Sequence, residues 1–200
     1  MTTTREAPQG VRARRFPTLR YPLAAVGGFA LSAAVTAPLS ADLRLTVGSW
    51  SMIAVYAVYG AFLTRTDLRE RRLPDTLTLT LAAILAGAVL ALALTAGAVG
   101  PAIAAISGGI GLAILLAAIG LAGQVGFGDV KLALSVGLLT GWHTWYFPFL
   151  ALALAYVIAF PHAIIAAVRR SREHDSTDLP FGPYLLAAGA IVAIVAIVPS

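Results

Sequence analysis

The sequence predicts an all-α integral membrane protein, a polytopic bundle of about seven transmembrane helices. Three observations carry that expectation. The 200 residues are 59% hydrophobic and 12% charged, with a mean hydropathy of +0.87, well outside the range of soluble domains. The apolar residues form seven runs, most of them near the 20 residues an α-helix needs to cross hydrocarbon. The basic residues fall on one side of the membrane when those runs are threaded through it. Helices follow from the solvent, because an isolated strand in lipid leaves its backbone groups unpaired.

The elements run in order as follows. Residues 1–20 form a polar, basic arm with Arg5, Arg12, Arg14, Arg15 and Arg20. The first apolar run is Tyr21–Leu39. Its basic flank suits a signal peptide, but it is longer than a usual signal core and ends in Ala37-Pro38-Leu39 with no soluble domain beyond, so it reads as a retained span. Six further spans lie at about Leu45–Leu63, Leu77–Val99, Ala102–Ala122, Val130–Phe147, Phe149–Val168 and Phe181–Val198. The fifth is short and interrupted by Gly137, Gly141 and Trp142, which suits a tilted or partial crossing. Runs such as Gly108-Gly109-Ile110-Gly111 let helices approach closely in lipid. The domain expectation is an arm (1–20), an extra first span with a short outer loop (21–44) and a membrane core (45–200).

With the N-terminus in the cytoplasm, 13 of the 14 Lys and Arg residues lie inside and only Arg44 lies outside. That bias predicts a multi-pass protein of the inner (plasma) membrane, N-terminus in and C-terminus out. It also explains the net charge of +5 as orientation in the lipid bilayer rather than affinity for nucleic acid. Trp142, Trp145, Tyr146 and Phe147 fall at the outer end of the fifth span, as an aromatic belt would. The chain has no cysteine, which excludes disulfides, thiolate metal sites and a cysteine nucleophile. His143, His162 and His174 share no metal-ligand spacing. No metal and no cofactor are expected.

Two acids stand out. In Gly126-Phe127-Gly128-Asp129-Val130-Lys131-Leu132, a carboxylate sits between two long apolar runs with glycines before it. An acid so placed is costly and by default functional; the glycines leave room for a second backbone. The plainer reading is a turn with Asp129 capping the next helix. The loop after the second span holds the other acid, Asp67, within one helical turn of the span's end. Leu73-Pro74-Asp75 then opens the third span, with Asp75 as a natural cap. Arg69, Arg71 and Arg72 read as topology determinants and headgroup contacts. Asp67 and Asp129 thus fall at the same side and depth. Two carboxylates brought together cannot both ionise cheaply, so one keeps a proton while the other activates a water.

Together these elements resemble the type IV prepilin peptidases, the polytopic GxGD-class aspartic proteases. That family has an Asp at a span end, then an Ile/Leu-Pro-Asn/Asp element, then Gly-x-Gly-Asp-x-Lys-Leu about sixty residues on; here Asp67 and Asp129 are 62 positions apart. Leu179-Pro180-Phe181-Gly182-Pro183-Tyr184 resembles the family's Pro-Phe-Gly-Pro segment. The resemblance covers roughly Leu45 to Val198. It implies that Asp67 and Asp129 are the catalytic pair. Gly126, Gly128, Lys131, Pro180, Phe181, Gly182 and Pro183 would bind or brace the substrate. The implied substrate is a pilin-like precursor with a basic leader, cut at the cytoplasmic face. Many members also carry a cytoplasmic domain with paired Cys-x-x-Cys motifs and methylate the new N-terminus. Without cysteine, the expectation here is peptidase without methyltransferase, similar to members serving tight-adherence (Flp-type) pili or preflagellins. The Tyr-Asp and Pro-Ala-Leu elements of presenilin and signal peptide peptidase are not present. Two other classes compete: a small ion- or proton-coupled transporter using the same two Asp residues, and a structural subunit of a pilus or secretion machine. Oligomeric state does not follow from the sequence.

Overall fold

The computed structural model describes residues 20–70, 73–121, 126–173 and 181–198, with side chains throughout except at 70 and 166–173. Among the described residues there are seven α-helices: α1 (Arg20–Thr36), α2 (Ala41–Glu70), α3 (Asp75–Ala96), α4 (Val99–Leu121), α5 (Phe127–Gly141), α6 (Phe147–Glu173) and α7 (Gly182–Ile197). The polytopic helical bundle expected from composition is the fold observed. Four helices are long and apolar enough to cross a membrane: α2 over Ala41–Arg69, α3, α4, and α6 over Phe147–Ile165. α1, α5 and α7 are shorter, at 17, 15 and 16 residues.

The helix at the centre is α5, which packs against α2, α3, α4, α6 and α7. From Leu132 to Gly141, all of its residues but Leu134 are buried. Small residues permit this. A Cβ on Gly137 would stand 2.5 Å from the Cα of Gly109, so α4 and α5 touch backbone to backbone. α1 lies on α3 by the same device, with Gly28 against the backbone of Ile84 and Gly87 against that of Ala25. The core adds Met52, Tyr56, Leu63, Leu85, Leu92, Leu116, Leu139 and Leu185, each nearly inaccessible. Tyr56 donates its hydroxyl to the Leu186 carbonyl at 3.2 Å, tying α2 to α7. Gly97, with φ of 69°, ends α3 in the left-handed conformation that glycine adopts without a Cβ penalty, and α4 starts two residues later.

Several sequence expectations are corrected. The second span does not stop at Leu63: α2 continues to Glu70, so Asp67 is a helical residue rather than a loop residue. The fifth helix ends at Gly141, before the turns at Trp142–Tyr146. Trp142 is no belt residue, because its ring is buried and its Nε1 donates to Ser49 Oγ at 3.0 Å. Trp145 and Tyr146 are exposed. Asp75 is not the cap of α3. Pro74 holds that position without a side-chain bond, and Asp75, one residue on, reaches Lys131 instead. Asp129 does not cap α5 either: Gly126 is at the cap, and Asp129 is the third helical residue.

Candidate active site

The α2–α3 connection, the first turn of α5 and the first turn of α7 meet at one end of the bundle. Asp67 projects from the last turns of α2 and is 6% exposed; Asp129, from the first turn of α5, is 9% exposed. Gly182, first residue of α7, stands between them. A Cβ there would lie 2.9 Å from Asp67 Oδ2 and 3.5 Å from Asp129 Oδ1, so those oxygens are no further apart than the sum of the two distances. The structure therefore brings together the two acids that the sequence placed at matching depth, although 62 positions separate them.

The electrostatics suit proton chemistry. Asp129 precedes the apolar run that begins at Val130. Burial first, and then the charge of Asp67, push its carboxyl up to about 7 against the opposing effect of a hydrogen bond from the Gly126 backbone. Asp67 Oδ2 is buried and has no hydrogen-bond partner among the described residues. Two such groups share protons as a unit, so their titration belongs to the pair.

The remaining candidates fall around this pair. Gly126 is exposed and borders Asp129, where a Cβ would stand 3.8 Å from Oδ2. Gly128 packs on Leu73 rather than on an acid. Lys131 Nζ pairs with Asp75 Oδ2 at 2.6 Å and does not touch the Asp pair directly through that contact. Phe181 is half-buried with its ring 4.9 Å from that of Tyr156, and Pro183 sits in the first turn of α7. Pro180 lies outside the described residues, as do Arg71, Arg72 and residues 1–19. Two residues at this end carry no signal along the chain. Tyr156 is one tyrosine in an apolar helix, with no motif around it; the role of Leu73 emerges only from the folded contacts. Its Cδ1 is 3.2 Å from the position a Gly182 Cβ would take, and its Cβ 3.1 Å from that of Gly128.

A pair of buried carboxylates at a helix-bundle end, one of them holding its proton near neutrality, can activate water against a carbonyl or relay protons. Comparison with known proteins bears on which. Over 68 residues the chain is 38% identical to leader peptidase HopD of Escherichia coli, a stretch that is 34% of this chain and 42% of that protein. The chain thus spans less than half the length of that relative. No solved structure matches the chain. The family model described as "Type IV leader peptidase family" matches residues 54–198, a stretch that contains both acids and the Gly182 between them. On the strength of that match, this chain belongs to the type IV leader peptidase family.

Proposed function

We propose that the protein is a membrane-embedded aspartic endopeptidase that removes the basic leader from a type IV pilin-like precursor, with Asp67 and Asp129 as its catalytic pair. The observation that carries the reading is the pair of buried carboxylates, drawn from α2 and α5, that flank Gly182. Family membership supports the reaction class. In the reaction the ionised carboxylate takes a proton from a water whose oxygen bonds to the scissile carbonyl carbon. The protonated partner gives its proton to the carbonyl oxygen. The tetrahedral intermediate then collapses as one of its hydroxyls returns a proton to that partner, the C–N bond breaks, and the amine leaves with the proton taken from water. Asp129, raised to about 7, suits the protonated partner near neutrality, though the proton is shared. No step calls for a metal.

The finer reading takes the precursor as of the tight-adherence (Flp-type) or preflagellin-like kind, cut at the cytoplasmic face of the inner membrane. The charge distribution supports that side: 13 of 14 basic residues fall there if the chain starts in the cytoplasm. In this reading Gly126, Phe181 and Pro183 border the bound peptide. The family match begins at residue 54, beyond α1, which supports an extra first span (21–44) outside a peptidase core (45–200).

The test uses the purified chain in liposomes with a pilin-like precursor, read as a size shift on a gel. Asp67→Asn and Asp129→Asn should each abolish cleavage, while Asp42→Asn, exposed in the first turn of α2, should retain it. Cleavage that persists without either acid rejects the pair. A proton flux lost in the same two variants, without any cleavage, would establish the transporter reading instead.

A further inference from the structure

The three motifs at the active end interlock through one apolar side chain and one ion pair. Leu73 lies six positions after Asp67, and its side chain fills the space beside Gly128 and Gly182; would-be Cβ atoms at the two glycines stand 3.1 and 3.2 Å from it. Two residues on, Asp75 Oδ2 meets Lys131 Nζ at 2.6 Å, and Lys131 is itself two residues after Asp129. Each acid thus has, a few residues downstream, one half of a contact to the segment carrying the other acid. Lys131 and Asp75 are partly open to solvent, with side chains 36% and 61% exposed. Such a pair adds little to overall stability, because solvent screens the two charges and holding both side chains in place costs entropy. Its effect is on the placement of the segments it joins.

We propose that Leu73, Asp75 and Lys131 form a clasp that seats the α2–α3 connection on the first turn of α5 and so sets the separation of Asp67 and Asp129. Asp75 and Lys131 are positioning residues, acting through the two acids rather than on the peptide. The clasp also gives a physical reason for both glycines. A side chain at 128 would press on Leu73, and one at 182 would press on Leu73 and Asp67 together. This inference deepens the peptidase reading and rests on it for its kinetic arm alone.

The experiment has two arms. The chain has no cysteine, so Asp67→Cys with Asp129→Cys carries the only thiols, and a short bis-methanethiosulfonate reagent, which forms a disulfide with each thiol by displacing methanesulfinate, reports their separation directly. In that background Asp75→Asn or Lys131→Met should slow crosslinking several-fold. Asp75→Glu and Lys131→Arg should leave it unchanged, and the exchange of Asp75→Lys with Lys131→Asp should restore it. In the otherwise unaltered chain the same neutral variants should lower kcat roughly threefold to tenfold, with KM held within about twofold. Unchanged crosslinking in both neutral variants, in folded protein, overturns the clasp. So does a rise in KM at constant kcat, which would make Lys131 a substrate contact. If the unaltered chain cuts no precursor, the kinetic arm falls with the peptidase reading, and crosslinking alone decides the clasp.

Discussion

The two ends of the bundle treat their charged groups in opposite ways. At the end where α1 and α3 finish and α2 begins, the charge of Arg44 is met, although the neutral His143 Nε2 there and Ser32 Oγ in α1 have no hydrogen-bond partner among the described residues. Arg44 donates to the carbonyls of Leu39 at 2.7 Å, Thr95 at 2.7 Å and Ala37 at 2.8 Å. These belong to chain ends where carbonyls lack helical partners and a cation is favoured. Trp142 and Ser49 satisfy each other nearby. At the other end, Asp67 Oδ2 has no partner among the described residues, and Asp129 is held well above the carboxylate range. An ionisable group left unsatisfied in a core costs more than a neutral one, so the larger sacrifice of stability lies at the acid end, where a water or a peptide would supply what Asp67 lacks.

The comparison can be broken most sharply at the acids. Asp67→Asn and Asp129→Asn should each reduce cleavage by about 10³-fold or more, the scale of acid–base catalysis, with the fold retained by circular dichroism. Next comes Gly182→Ala, whose methyl would lie 2.9 Å from Asp67 Oδ2. Displacing that carboxylate should lower kcat by about 10²-fold, whereas Gly87→Ala, between α3 and α1, should leave the chemistry alone and lower the melting temperature through overpacking.

Acidity separates the ends again. Because folding raises the Asp129 carboxyl from 3.8 to about 7, the native state binds that proton more tightly than the unfolded chain does. Stability should therefore fall as pH rises from about 4 to 7, with the full penalty present above 7. Asp129→Asn should remove that slope in melts of detergent-solubilised protein and melt above the unaltered chain at pH 8. Cleavage should decline above about pH 7, where the shared proton is lost. The smallest effect belongs to the end away from the acids: Trp142→Phe, losing one hydrogen bond to Ser49, should cost about 1 kcal/mol of stability and leave cleavage intact.

How much of this was legible follows from the physics involved. Hydrophobic run length and charge bias act along the chain, so the helical bundle and the shared depth of Asp67 and Asp129 could be read directly. Contacts between distant segments could not. The partner of Asp75 is Lys131, 56 positions away, and a local rule assigned it to capping instead. Position along the chain puts Trp142 at the lipid interface, but the hydroxyl that accepts from its buried ring comes from Ser49 on another helix. Leu73 carries no chemical signal, and only the convergence of two glycines on it reveals its place. The motif Gly-x-Gly-Asp drew attention to both of its glycines as one unit, yet they differ: Gly126 borders the acid and Gly128 borders a leucine.

The lengths of α5 and α7 have a consequence for the surrounding lipid. At 15 and 16 residues, these helices extend about 22–24 Å, against a hydrocarbon thickness of about 30 Å. They are also the helices that deliver Asp129 and Gly182. A short apolar helix in lipid is accommodated by local thinning of the bilayer, by snorkelling of flanking residues or by association with other helices, at a cost of fractions of a kcal/mol per Å. A bilayer that thins around α7 would bring its headgroups and their water toward the two acids, so cleavage should slow in membranes of thicker acyl chains.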